Sequence, residues 1–266
     1  MKQLFIVLHL LLLVVAASAQ MDDTTGFFQY EKKLFIQGND TLRYRILYPL
    51  HYNGNKSVPL IVFLHGSGER GSDNEKQLFH GGALFLKDSI RNRNPAIVIF
   101  PQCPDDSAWN RFNRNTPRGD SFYLSLNQSP DLSTPERLVK LLIDSLSQHR
   151  IADKKRLYIG GLSLGGFGTY DLLTKYPDYF AAAFPICGMT NVPLYAQRAY
   201  KVPLWIFHGA KDDVVNPGPD RLLYKTLQTT KGAHVQYTEY PDAGHNSWDN
   251  AFAEPNLLPW LLAQKK

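Results

Sequence analysis

Four stretches of this chain are continuously apolar over the length of a strand: 60–64, 96–100, 180–186 and 203–207. A fifth, 157–161, is a short apolar run ending in two glycines. Runs of this kind belong to strands buried on both faces. Between them lie segments read as helical: 74–90, 136–149, a stretch following Ser163 to about Lys175, 222–229 and 257–264, the last entered at Pro259. In 136–149 the apolar residues fall at 138, 139, 141, 142, 143 and 146. Ser133-Thr134-Pro135-Glu136 is a helix start, with proline in the first turn. Two β-prone runs, 30–37 and 42–48, flank Gly38-Asn39-Asp40, a hairpin signal. Residues 235–240 alternate like a strand near a sheet edge. Strands separated by helices predict parallel βαβ units with right-handed crossovers, hence an α/β fold. In such sheets reacting groups gather at the carboxyl ends of the strands. Residues 105–132 show no clear period, and a long irregular excursion in a compact domain is often functional.

Length and composition narrow this picture. The chain has 266 residues, 44% hydrophobic and 12% aromatic, which suits one large α/β domain with a sizeable core. The net charge of +5 is not gathered into runs, so neither nucleic acid nor a membrane surface is called for as a partner. Met1-Lys2 opens an almost wholly apolar run over 4–15, followed by Ala17-Ser18-Ala19. This pattern predicts a signal peptide over 1–19, with 20–266 as the mature domain. The run is short for a membrane span. No cysteine follows the cleavage site, so no lipid anchor is indicated. The expected location is secreted or periplasmic.

The candidate chemistry centres on Gly161-Leu162-Ser163-Leu164-Gly165, which fits G-x-S-x-G. In that motif the serine sits on a strained turn between strand and helix, and the helix aims its N-terminal N–H groups at an oxyanion beside it. A glycine-rich turn holding a buried serine is the plain structural alternative. Position decides between them. His65-Gly66-Ser67-Gly68, Ser163, the acids after 203–207 and His245 all fall at the carboxyl ends of strands. Serine needs a base, and His245 in Ala243-Gly244-His245 is placed to supply it. His65 and His208, in His-Gly turns, are expected to hold loops by hydrogen bonds. Asp212 and Asp213 both follow Phe207-His-Gly-Ala-Lys. There is no phosphate loop, dinucleotide fingerprint or zinc spacing, so no metal or cofactor is implied.

These motifs carry a resemblance. Leu64-HGSGER-Gly71, Pro101-QC-Pro104, Gly161-LSLG-Gly166, Pro185-IC-Gly188, Phe207-HGAKDDV-Val215 and Tyr240-PDAGHNS-Trp248 occur in the order found in α/β-hydrolases. The chain resembles the secreted carboxylesterase/phospholipase-like and carbohydrate-esterase-like proteins, including feruloyl esterases and polyhydroxybutyrate depolymerases. The resemblance implies an α/β-hydrolase fold and a Ser163–His245–Asp212 triad, with Asp213 outside it. It also implies an oxyanion hole from the backbone N–H groups of Leu164 and Ser67. Glu69 and Arg70 in the same loop are expected to pair as a brace rather than to contact substrate. It implies a serine esterase acting through an acyl-enzyme on small-molecule or polysaccharide esters, acetyl or feruloyl groups among them. A prolyl-oligopeptidase-type peptidase and a non-catalytic binder on this fold are the alternatives. The 105–132 excursion departs from the family pattern, and Trp109 within it is expected to wall the substrate cleft. In this strand order two strands separate the one before Cys103 from the one before Cys187. That is about 14 Å, where a disulfide needs Cα atoms within about 7 Å, so the cysteines are expected not to pair.

Overall fold

The computed structural model describes residues 26–111 and 120–266; the expected signal peptide and residues 112–119 of the excursion lie outside them. Among the described residues the strands are β1 (Glu31–Gln37), β2 (Asp40–Leu47), β3 (Val58–Leu64), β4 (Ile97–Gln102), β5 (Ala152–Leu162), β6 (Ala182–Ile186), β7 (Leu204–Gly209) and β8 (Val235–Tyr240). They form one sheet in the order β1-β2-β4-β3-β5-β6-β7-β8. β1 and β2, and β2 and β4, pair antiparallel; the remaining neighbours are parallel. This is the arrangement of an α/β-hydrolase.

The apolar runs are continuous because both faces of the sheet are covered. Leu60, Val62 and Leu64 of β3 face one core, and Ile61 and Phe63 face the other. The first core is covered by α4 (Thr134–Gln148), α5 (Leu164–Lys175), α6 (Val192–Arg198) and α7 (Gly218–Gln228). The second is covered by α1 (Gly82–Leu86), α8 (Trp248–Ala253) and α9 (Leu257–Ala263). Two further short helices are α2 (Asp88–Arg93) and α3 (Asp120–Ser125). α4 opens on the expected signal. Ser133 Oγ accepts from Glu136 N–H, the Glu136 carboxylate accepts from Ser133 N–H, and a proline sits in the first turn.

One local expectation changes. The single helix over 74–90 is instead a 3-10 turn, Lys76–Leu78, followed by α1 and α2. Gly81 breaks it by taking φ 89°, with its Cα set against the Phe252 ring. β4 runs on beyond the apolar stretch through Pro101 to Gln102, because Pro101 lies past the last β3–β4 pair, where a missing N–H costs little. Helices α6 and α8 are too short to declare themselves by periodicity.

Candidate active site

β5 runs straight into Ser163, which takes φ 51° and ψ −117° before α5 begins. A non-glycine residue held there costs on the order of 1–3 kcal/mol and persists only where its surroundings fix it. Ser163 N–H donates to Ile186 O at 2.9 Å, and Ser163 O accepts from Phe167 N–H at 3.0 Å. The glycines around it are sterically required. A Cβ on Gly165 would overlap the Leu64 carbonyl oxygen, and one on Gly161 would meet that oxygen at 2.9 Å. The end of β3 can therefore lie directly against the start of α5.

Ser67, which opens a 3-10 turn after β3, and Leu164, which opens α5, both present first-turn N–H groups that lack an acceptor within their own helix. A Cβ built on Gly66 would run into Leu162 Cδ1 at 2.7 Å and lie 3.7 Å from Ser163 Cβ. The Ser67 loop and the Ser163 turn are thus neighbours.

His245 follows β8 on a turn locked to the loop after β7. Lys211 N–H donates to Ala243 O at 3.0 Å and Ala210 N–H to Tyr240 O at 2.9 Å. Gly209 has no side chain to keep the Ala243 and Gly244 carbonyls away. The result is a continuous array. His245 Nε2 lies 2.9 Å from Ser163 Oγ, and His245 Nδ1 lies 2.8 Å from Asp212 Oδ2. Asp212 Oδ1 accepts from Val214 N–H at 2.9 Å and Val215 N–H at 2.8 Å. Burial alone would raise the Asp212 pKa. Hydrogen bonds from His208, His245 and the backbone outweigh it and hold the carboxyl well below the usual carboxylate range. With Asp212 ionised, Nδ1 of His245 carries the proton and Nε2 is left to accept from the serine hydroxyl. Asp213 is exposed, and Asp242 pairs with Lys211 at the surface.

A profile of the phospholipase/carboxylesterase family matches residues 51–254. The chain belongs to that family. It is 30% identical over 133 residues to poly(3-hydroxyalkanoate) depolymerase C of Paucimonas lemoignei, a match covering 50% of this chain and 28% of the depolymerase. It is 35% identical over 78 residues to the bifunctional acetylxylan esterase/xylanase XynS20E of Neocallimastix patriciarum, covering 29% of this chain and 12% of that one. The solved structure of a thermostable esterase superposes with TM-score 0.79 at 32% identity, over 90% of this chain and 64% of that chain. A ferulic acid esterase structure superposes with TM-score 0.62 at 15% identity, over 88% and 98%, which speaks to fold alone.

Trp109, expected to wall the cleft, does not stand open to one. It is fully buried. Its indole fills the space that Gly168 leaves on α5, its Nε1–H donates to His65 O at 2.9 Å, and its ring meets the His65 imidazole edge-on at 5.1 Å. The excursion thus reaches beneath the Ser67 loop and anchors it. Trp109→Ala is expected to cost about 3–5 kcal/mol through the cavity it leaves, read as a large fall in melting temperature. Retained stability with an altered KM would restore the cleft-wall role.

The brace of the Ser67 loop also differs from expectation. Glu69 and Arg70 do not pair. Arg70 donates to the Ser67, Asp105 and Ser107 carbonyls, while Glu69 Oε1 lies 3.5 Å from His80 Nε2. His65 completes the brace. Its Nε2 accepts from Cys103 N–H at 2.9 Å, so its proton sits on Nδ1 and is donated to Gly66 O at 2.6 Å. Burial pushes its pKa down to about 4.

One aromatic of the site went unread in the sequence. Trp248 is half-buried and stands edge-on to His245 at 5.5 Å, with His80 against it at 5.0 Å. Its position shortly after His245 in Gly244-His-Asn-Ser-Trp248 was the available signal. Among the described residues Cys187, Asp212 and His245 form the one group with metal-ligand atoms within 4.8 Å of one another. The ring nitrogens and carboxylate are already engaged, and burial pushes the Cys187 thiol well above its ordinary pKa, so no thiolate is ready for an ion. Cys187 and Cys103 are free and buried, with β3 and β5 lying between their strands.

The two buried loop histidines set an expected pH profile of stability. His208 is desolvated, which would lower its pKa, yet bonds to Asp212, Asp220 and the Val215 carbonyl raise it to about 9 from 6.5. Its contribution is complete below pH 6.5 and is lost as pH rises through about 9. His65, lowered to about 4, contributes above pH 6.5, and that contribution is lost as pH falls through about 4. Melting temperature should therefore peak near pH 6.5, the ordinary histidine value in both cases. A scan of melting temperature from pH 4 to 9.5 checks this, and a profile rising steadily to pH 9.5 contradicts it.

Proposed function

We propose that this chain is an exported serine esterase that hydrolyses carboxylic esters through an acyl-enzyme. The observation that carries the reading is the hydrogen-bonded array Ser163–His245–Asp212 with the serine on a strained turn. His245 Nε2 takes the Ser163 proton as Oγ attacks the ester carbonyl. The developing oxyanion is met by the backbone N–H groups of Ser67 and Leu164, reinforced by the N-terminal end of α5. The tetrahedral intermediate collapses as His245 gives its proton to the leaving alkoxide, and a water then repeats the sequence on the acyl group. Asp212 keeps the imidazole in the needed tautomer throughout.

The relatives support esters of polymers as substrates, with acetyl or feruloyl groups on polysaccharides foremost. Trp248, beside the histidine that protonates the leaving group, lies on the alcohol side of the cleft. Among the described residues no helix is long and apolar enough to cross a membrane. The first test is turnover of p-nitrophenyl acetate by folded protein; none at all sinks the esterase reading. Acetylated xylan, feruloyl-arabinose esters and nitrophenyl esters of graded acyl length then assign the substrate. Export is checked by the mass of the released protein, with Gln20 expected at its N-terminus.

A further inference from the structure

The array does not stop at Asp212. His208, at the end of β7, is fully buried with its ring between two carboxylates. Its Nε2 lies 3.2 Å from Asp212 Oδ2, the same oxygen that receives His245 Nδ1–H, and 3.0 Å from Val215 O. Its Nδ1 lies 2.8 Å from Asp220 Oδ2 on α7. Asp220 Oδ1 in turn accepts from Tyr170 OH on α5 at 2.7 Å. Three elements thus converge on one imidazole: the loop after β7, α7 and, through Asp220, α5.

The protons follow from the partners. Nε2 faces a carboxylate and a carbonyl, both acceptors only, so it carries hydrogen. Nδ1 faces a carboxylate whose other oxygen already accepts from a tyrosine hydroxyl, so it meets an acceptor and carries hydrogen as well. A ring protonated on both nitrogens is an imidazolium. The shift of His208 to about 9, set by those carboxylates against the effect of burial, agrees.

We propose that His208 is a positioning residue for Asp212: a buried imidazolium, fixed by Asp220, that shares the carboxylate oxygen holding His245 and lets ester turnover persist to lower pH. The inference rests on the esterase reading for its kinetic consequence but not for its chemistry. A lone Asp212 would present its full negative charge to His245 and favour the protonated ring, which cannot accept from serine. The His208 cation offsets that charge from the far side of the same oxygen and fixes the carboxylate in the plane His245 needs. The other groups around His208 do not replace it. Glu239, its cross-strand neighbour on β8, is paired with Arg221 at 2.7 and 2.9 Å and accepts from Tyr237 OH. Cys187, beyond Asp212, is held as a neutral thiol by burial.

The test compares wild type, His208→Gln and Asp220→Asn in kcat/KM for p-nitrophenyl acetate across pH 5–9, with circular dichroism to confirm folding. His208→Gln removes the cation and keeps an N–H donor, so the acid limb should move up by about one pH unit. Asp220→Asn takes away the carboxylate that holds the Nδ1 proton, so His208 is no longer kept as a cation and the limb should move up as well, by less than in His208→Gln because a negative charge leaves with it. An unmoved limb in folded His208→Gln overturns the proposal, as does a downward shift in folded Asp220→Asn. Should His208→Gln not fold, nitrogen NMR of the wild-type histidines decides. Both His208 nitrogens protonated at pH 7.5 supports the proposal, and a neutral ring refutes it. That readout needs no substrate, so if wild type turns over no ester the esterase reading fails and the imidazolium is still judged on its own.

Discussion

Ser163→Ala is expected to abolish ester turnover while leaving the fold intact. Loss of the nucleophile in serine hydrolases lowers kcat by on the order of 10⁶. The hydroxyl contributes little to stability here, because Ser163 is fixed through its backbone, N–H to Ile186 O and O to Phe167 N–H. The side chain can therefore be removed without releasing the turn. A fluorophosphonate probe should label wild type at Ser163 and leave the variant unlabelled, with the two melting temperatures close. Labelling at another residue, or residual turnover near the wild-type rate, would move the chemistry elsewhere.

Asp212→Asn should lower kcat by about 10⁴, the effect seen when a triad acid can no longer hold its histidine in the right tautomer. The structure adds a reason for the loss to be large. Asp212 Oδ2 serves two imidazoles at once, at 2.8 and 3.2 Å, while Oδ1 takes the Val214 and Val215 N–H groups. An amide placed with its oxygen on those two N–H groups must turn its NH₂ toward both rings, so His245 is driven to offer Nδ1 as acceptor and Nε2–H to the serine. Asp213→Asn, at an exposed position, should change kcat little. A reversed ranking of the two variants would overturn the choice of acid, and unaltered kcat in Asp212→Asn would remove the carboxylate from the mechanism.

What the sequence alone determined is what short-range pattern encodes. Continuous apolar runs at 60–64, 96–100, 180–186 and 203–207 could be satisfied only by strands covered on both sides, and the sheet has that form. Gly38 marked the hairpin turn, where it takes φ 62° between β1 and β2. Ser133 to Glu136 marked a helix start, because a capping box closes within one turn. Ser163 was legible for a similar reason, since glycines at 161 and 165 are demanded by the backbone around them rather than by distant partners. The family motifs added which carboxylate to choose.

Only the tertiary structure decided the rest, because those features depend on residues far apart in the chain meeting in space. Trp109 reads as a loop aromatic until Gly168 and the His65 carbonyl are seen to receive it. Gly81 ends a helical stretch only because Phe252 occupies the place of a side chain. His208, Asp220 and Tyr170 carry no motif that joins them, yet packing of β7, α7 and α5 sets them in one hydrogen-bonded line behind Asp212. Periodicity specifies which face of an element is buried, and what stands opposite that face is fixed when the layers close.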